Sequence, residues 1–290
     1  MNRFSFLFVL FFFTCSVGLF AQKIEVEKDS TFINRFQRHS IVSVNFSNEQ
    51  FGFNDFISPF KFSKSGSVEL GLGYKNFSIN HPAEKYFIKY ISLKYSSNKL
   101  INQSSEGLSV SLELWRLAAV SETGYRYNFR LLNISPYVSS GYFLYNFNYN
   151  FSTVCPAEYG MACLASDPQM SRFSDGTHFG KNFEEGIRFG LSDKLSINLG
   201  YSESLYYPRF MTWHFLGSEI LYGIARVALD KFNRNIIQDS PTIGGFVDVV
   251  LVSGLNYLVY HFQKDDMNWP IKSETPIFAD GFRAGFRLTF

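Results

Sequence analysis

Five histidines could do chemistry in this sequence: His39, His81, His178, His214 and His261. His214 is followed by Ser218 and Glu219, and His178 by Glu184. A histidine beside a serine and an acidic group is the set that nucleophilic hydrolysis uses, the imidazole taking the hydroxyl proton as the oxygen attacks. A histidine near a strand end is more commonly an interfacial or loop residue, so His214, Ser218 and His178 are weak catalytic candidates. No Gly-rich phosphate loop, zinc-ligand pair or calcium loop appears, and no cofactor or metal is expected. Cys155 and Cys163 lie eight residues apart, and a disulfide closing a short loop is the simplest reading in an exported chain.

The elements that must position these groups read as strands. Gly281 to Phe290 is GFRAGFRLTF, with Phe282, Ala284, Phe286, Leu288 and Phe290 on one side of an extended chain. Gly281, Arg283, Gly285, Arg287 and Thr289 fall on the other side, which is the period of a strand. Phe183, Ile187, Phe189 and Leu191 alternate with Glu184, Gly186, Arg188 and Gly190; after Ser192–Lys194 the alternation resumes at Leu195, Ile197, Leu199 and Tyr201. Val68, Leu70 and Leu72 are set against Glu69 and Gly71, and Leu108 to Leu114 against Ser109, Ser111 and Glu113. Ile91, Leu93 and Tyr95 are set against Ser92 and Lys94. From Gly141 to Phe151 the aromatics Phe143, Tyr145, Phe147, Tyr149 and Phe151 oppose Asn146, Asn148 and Asn150. An asparagine ladder is costly in a dry core and cheap against water, so the amides are expected to face a wet lumen and the rings to face out.

Composition points the same way. Aromatics make up 19% of the 290 residues, with 34 Phe and 17 Tyr, more rings than a soluble core of this size needs. A barrel in lipid uses them on its outer wall and in both interfacial girdles. Asn2-Arg3 followed by an apolar run from Phe4 to Phe20, with Ala21 before Gln22, has the layout of a secretory signal peptide. No further apolar run is long enough to read as a spanning helix. The formal charge of +2 is no footprint for nucleic acid.

The carboxy-terminal stretch resembles the last strand of bacterial outer-membrane β-barrels, which the assembly machinery reads as an insertion signal. Arg283, Gly285, Leu288 and Phe290 fill that family's pattern in register. GLSDKLSINLGYSES is similar to a periplasmic hairpin of small barrels of the outer-membrane protein A type. The phenylalanine-rich style and the Phe-Ala-Gln junction resemble exported proteins of the Bacteroidetes group, which implies a Gram-negative outer membrane. The resemblance implies an all-β, closed antiparallel transmembrane β-barrel. At roughly 21 to 25 residues per strand and connection, about 12 strands are expected, with ten the alternative. The expected divisions are a signal peptide over 1–21, a periplasmic lead-in over 22–38 and the barrel over 39–290.

Residues 213–232 fit two readings. Ile220, Leu221, Ile224, Ala228 and Phe232 have helical spacing, while Leu221, Ala225, Val227 and Leu229 fit a strand. The strand is preferred, because an extra crossing keeps the parity that lets the last strand run down. Val247, Val249, Leu251, Leu255, Tyr257 and Val259 are also read as strand, and Lys75-Asn76 as a tight turn. Glu185 breaks the apolar face and is expected outside the hydrocarbon depth. Arg188, Arg283, Arg287 and Glu184 are expected in the lumen. The function expected is non-enzymatic: a narrow pore, a surface-exposed binding scaffold or a structural protein, with outer-membrane lipids and the assembly machinery as partners. The alternative is an outer-membrane lipid hydrolase of the lipid A deacylase or phospholipase kind, although neither histidine set has the closely spaced His–Ser arrangement of the deacylase barrels.

Overall fold

The computed structural model describes residues 38–54, 60–78, 84–102, 109–129, 132–150, 171–174 and 176–290. Eight long strands form the ring: β1 (Arg38–Gly52), β3 (Lys64–Ser78), β4 (Glu84–Asn102), β5 (Ser109–Asn128), β6 (Asn133–Asn150), β7 (Thr177–Gly190), β8 (Leu195–Tyr206) and β9 (Ile277–Thr289). Each pairs antiparallel with its neighbour in the order β4-β3-β1-β9-β8-β7-β6-β5, and β4 pairs back onto β5. The sheet therefore closes and, within the ring, leaves no open edge. A short β2 (Phe60–Phe62) pairs only with the far end of β4, at Leu100 to Asn102. The last rung between β1 and β9 is a reciprocal pair, Ser40 N to Phe290 O at 3.1 Å and Phe290 N to Ser40 O at 2.9 Å.

The connections sort by length. At one end, Phe129 N donates to Leu132 O between β5 and β6, while Leu191 N and Ser192 N donate to Leu195 O between β7 and β8. The other end carries the long connections β6–β7 and β8–β9. Lys75 and Asn76 do not turn; they pair with Ile88 and Phe87 inside the β3–β4 ladder.

The ring has eight strands where about twelve were expected, for two physical reasons. Several strands are nearly twice the expected length: β4, β5 and β6 run for 19, 20 and 18 residues. In addition, both segments read as the penultimate strands are helices: α1 (Thr212–Asp239) and α2 (Pro241–Gln263). Pro241 sits in the first turn of α2, where its missing N–H leaves no extra orphan. The buried positions described in α2 are Gly244, Gly245, Asp248, Val249, Val252, Asn256, Val259, Tyr260 and Gln263, recurring every three or four residues as one helix face does and a strand face cannot. Parity survives the correction, because two antiparallel helices return the chain to the end it left.

The two helices form a hairpin against the outside of the barrel. Phe215, near the start of α1, meets Tyr142 and Phe179 of β6 and β7. At the far end Ile237 packs with Val249, Val252, Tyr125, Tyr127 and Val138. Tyr125 and Tyr127 end β5 at the short-turn end, so the hairpin runs the height of the wall. Glycines permit the tightest approaches: a Cβ on Gly244 would lie 2.6 Å from Ile237 Cα, and one on Gly245 would lie 2.6 Å from the Tyr125 ring. Elsewhere the outer wall is bare and apolar; Leu72, Ile91, Phe282 and Phe290 are 64%, 60%, 76% and 65% exposed.

The β5–β6 faces reverse the expected assignment. Leu112, Leu114, Phe143, Tyr145 and Phe147 point inward and are buried, while Glu113 and Asn148 are exposed outside. The rings fill the interior near the long-connection end, and the amides meet solvent beyond the apolar band.

Candidate functional site

Strand alternation sends every second residue into a lumen that, at eight strands, is just wide enough for those side chains or one small ligand. Glu122 of β5 accepts from two guanidiniums: Arg188 at 2.7 and 3.0 Å, and Arg287 at 3.0 and 3.3 Å. Arg283 spans Glu184 at 2.5 Å and Glu69 at 3.0 Å, and Arg116 holds the second oxygen of Glu69 at 3.0 Å. Lys94 pairs with Glu49, which also accepts from Ser202 at 3.2 Å. All of these charged groups are buried. Buried charges are tolerated when paired and hydrogen-bonded, and the shared carboxylates meet that condition.

Aromatic layers bracket the charges. Toward the short-turn end Tyr137 donates to Glu184 at 2.7 Å, Tyr86 accepts from Arg188 at 3.1 Å, and the Arg287 guanidinium lies 5.6 Å from the Tyr90 ring. Toward the other end Arg116 lies 4.9 Å from the Phe143 ring, which packs with Tyr145 and Tyr206. Phe51 stacks on Tyr206 at 5.8 Å and completes that layer. The four lumen residues expected from sequence, Arg188, Arg283, Arg287 and Glu184, are all here. Glu122, Glu69, Glu49, Arg116 and Lys94 belong with them. Glu69 and Lys94 were already on the polar side of alternating stretches; what could not be read was which strands face across the ring.

A second polar set lies outside the barrel, under the helical hairpin. Lys181 of β7 points outward yet is 2% exposed, and donates to Glu219 of α1 at 2.5 Å. Tyr142 donates to the other oxygen of Glu219 at 2.5 Å. Tyr222 of α1 donates to Asn256 of α2 at 2.8 Å, and Asn256 donates to Glu185 at 3.2 Å. Glu185 is thus accommodated by the hairpin and not by lying beyond the apolar band. Farther along, Asp280 accepts from Tyr201 at 2.5 Å and Tyr260 at 3.3 Å, and lies 3.7 Å from Lys264. At the short-turn end Asp248 of α2 accepts from Tyr125 at 2.9 Å and from Asn233.

The hydrolytic candidates are not brought together. His178 faces inward and stacks on Tyr145 at 5.5 Å. Ser218 lies on α1 outside the wall, where its hydroxyl donates to Trp269 O at 2.8 Å and accepts from Gln263 at 3.0 Å. Glu219 is occupied by Lys181 and Tyr142, and His214 sits half-buried in the first turn of α1. Of the carboxy-terminal motif, Arg283 and Gly285 point into the lumen, while Leu288 and Phe290 are exposed on the outer wall. Cys155, Cys163, His81, the signal segment 1–21 and nearly all of the lead-in lie outside the described residues. No group of three or more potential metal ligands occurs among the described residues.

The sequence matches no protein-family model and no curated protein. Among solved structures, the chain is similar to Neisserial surface protein A, with 10% identity and a TM-score of 0.40 over 87% of this chain and 97% of that one. It is also similar to Ail, the attachment invasion locus protein of Yersinia pestis in complex with the heparin analogue sucrose octasulfate, at 8% identity and a TM-score of 0.34, covering 87% and 99%. The outer membrane protein OprG from Pseudomonas aeruginosa matches at 8% identity and a TM-score of 0.33, covering 87% and 95%. The eight-stranded closure itself rests on this chain's own strand pairing.

Proposed function

We propose that this protein is a bacterial outer-membrane barrel that does not conduct and acts as a membrane-embedded scaffold with a binding or structural role. The observation that carries the reading is the lumen: paired charges cross its middle, and a packed layer of Phe51, Phe143, Tyr145 and Tyr206 closes it toward the long-connection end. A pore needs a continuous wet path, and here the crossing ion pairs and the aromatic layer interrupt it.

The membrane placement is supported by the outer wall. Contiguous exposed apolar surface of this extent marks a membrane or a partner, and here it girdles the strands not covered by the hairpin. The segment Ile243–Gln263 of α2 has 21 residues and a mean hydropathy of 1.6, long and apolar enough to cross a membrane. The hairpin then joins the barrel as part of the spanning unit, with Ile243, Phe246, Val250 and Leu258 toward lipid. The short-turn end faces the periplasm and the long connections face outward.

The test is conductance of the refolded protein in a planar lipid bilayer, with insertion verified by heat-modifiable migration on a denaturing gel. A silent bilayer holding inserted protein is the expected result. Discrete ohmic steps would show a continuous lumen and overturn the reading.

A further inference from the structure

We propose that the lumen near the short-turn end is a binding site for a small oxyanion, of the phosphate or sulfate class. The charges inside the ring do not balance evenly along its length. Around the middle, Glu69 and Glu184 answer Arg116 and Arg283, and Glu49 answers Lys94. Toward the short-turn end, Glu122 is shared by Arg188 and Arg287, so one carboxylate answers two guanidiniums. Lys75 adds a third cation at this level and has no carboxylate partner among the described residues. Its Nζ lies 4.2 Å from the Phe77 ring centroid and 4.4 Å from that of Tyr86, and the Tyr86 hydroxyl accepts from Arg188 at 3.1 Å. Lys75, Arg188 and Arg287 therefore converge on one patch lined by Tyr86 and Glu122.

Arg188 Nε, Arg287 Nε, Ser43 Oγ and Asn45 Nδ2 are buried donors without a partner among the described residues, against one such acceptor beside them, Asn198 Oδ1; Arg116 and Arg283 in the middle also leave their Nε without one. Ser43 stands directly opposite Arg287 in the β1–β9 register, so three of these donors follow one seam of the wall. His39 is the cross-strand neighbour of Lys75, and its ring packs edge-on to Phe77 at 6.0 Å. His39, Lys75 and Phe77 thus line the short-turn side of the patch. Unanswered positive charge in a low-dielectric barrel is costly, and an anion with several acceptor oxygens offsets that cost while satisfying the donors. The aromatic layer at the opposite end makes the site blind, so the ligand enters and leaves from the short-turn side.

The experiment titrates inorganic phosphate into the folded full chain in a zwitterionic detergent, by calorimetry and by phosphorus NMR line width. Saturable binding is expected. Lys75→Gln should weaken it roughly tenfold, the size of one lost charge-assisted contact. Lys194→Gln, in the exposed β7–β8 turn of the same end, should leave it unchanged. Heat-modifiable migration confirms that each variant is folded. Absence of saturable binding in the parent protein overturns the proposal, and so does equal weakening by Lys75→Gln and Lys194→Gln, which would mean diffuse surface attraction. Binding and conductance are read separately, so a conducting barrel that binds phosphate and a silent one that does not are distinguished.

Discussion

Lys181 and Glu219 form an ion pair on the outside of the barrel, 2.5 Å apart, between β7 and the first helix of the hairpin. On a wall whose exposed side chains are largely aliphatic and aromatic, a lysine that is 2% exposed needs a polar partner over it, and Glu219 is that partner. Lys181, Glu185, Glu203 and Asp280 are all outward on β7, β8 and β9, and the hairpin lies over this sector. The helices and the polar stripe of the wall explain each other.

Glu219→Ala should strand Lys181 under the hairpin. Removing one partner of a buried pair costs about 3–5 kcal/mol, so a marked drop in unfolding midpoint in micelles is expected. The combined change Tyr142→Phe, Lys181→Met and Glu219→Leu replaces every member with an apolar group of similar size and should recover most of that loss. A single variant as stable as the parent would mean that the pair is solvated and that the hairpin does not seal the wall.

Glu122 should be the most sensitive carboxylate in the lumen. Glu122→Gln leaves Arg188 and Arg287 without their shared anion, and a loss of about 3–5 kcal/mol is expected. Arg188→Met should cost less, since Glu122 keeps Arg287. Denaturant titration of the two variants side by side checks the order. Equal losses would count against a shared carboxylate.

Phe290→Ala separates the proposed insertion signal from the closure of the ring. Both hydrogen bonds to Ser40 are backbone bonds and persist in the variant, while the ring, exposed on the outer wall, is lost. The variant is expected to refold in detergent as the parent does, yet to reach the outer membrane in reduced amount in cells. Unchanged membrane yield would remove Phe290 from the signal.

The strand period alone determined much of this protein. The alternation of β7, β8 and β9 placed Arg188, Arg283, Arg287 and Glu184 inside and Phe282, Phe286 and Leu288 outside, because a period of two depends only on the local chain. The closed barrel came from the resemblance carried by Arg283, Gly285, Leu288 and Phe290, with the aromatic composition in support. Tertiary structure decided the rest. The pairing of Glu122 with arginines from β7 and β9 is set by register across the ring, over 66 and 165 residues of sequence. Which face of β6 is inside was decided by height along the barrel: Asn146 and Asn148 sit beyond the apolar band, where outward amides meet solvent. Asp248, Asn256 and Gln263 did carry the helical period of α2, yet Val249 and Val259 fit a strand as well. The partners that the barrel's outer face offers those helix positions, Glu185 for Asn256 and Lys85 for Asp248, are visible only in the tertiary structure.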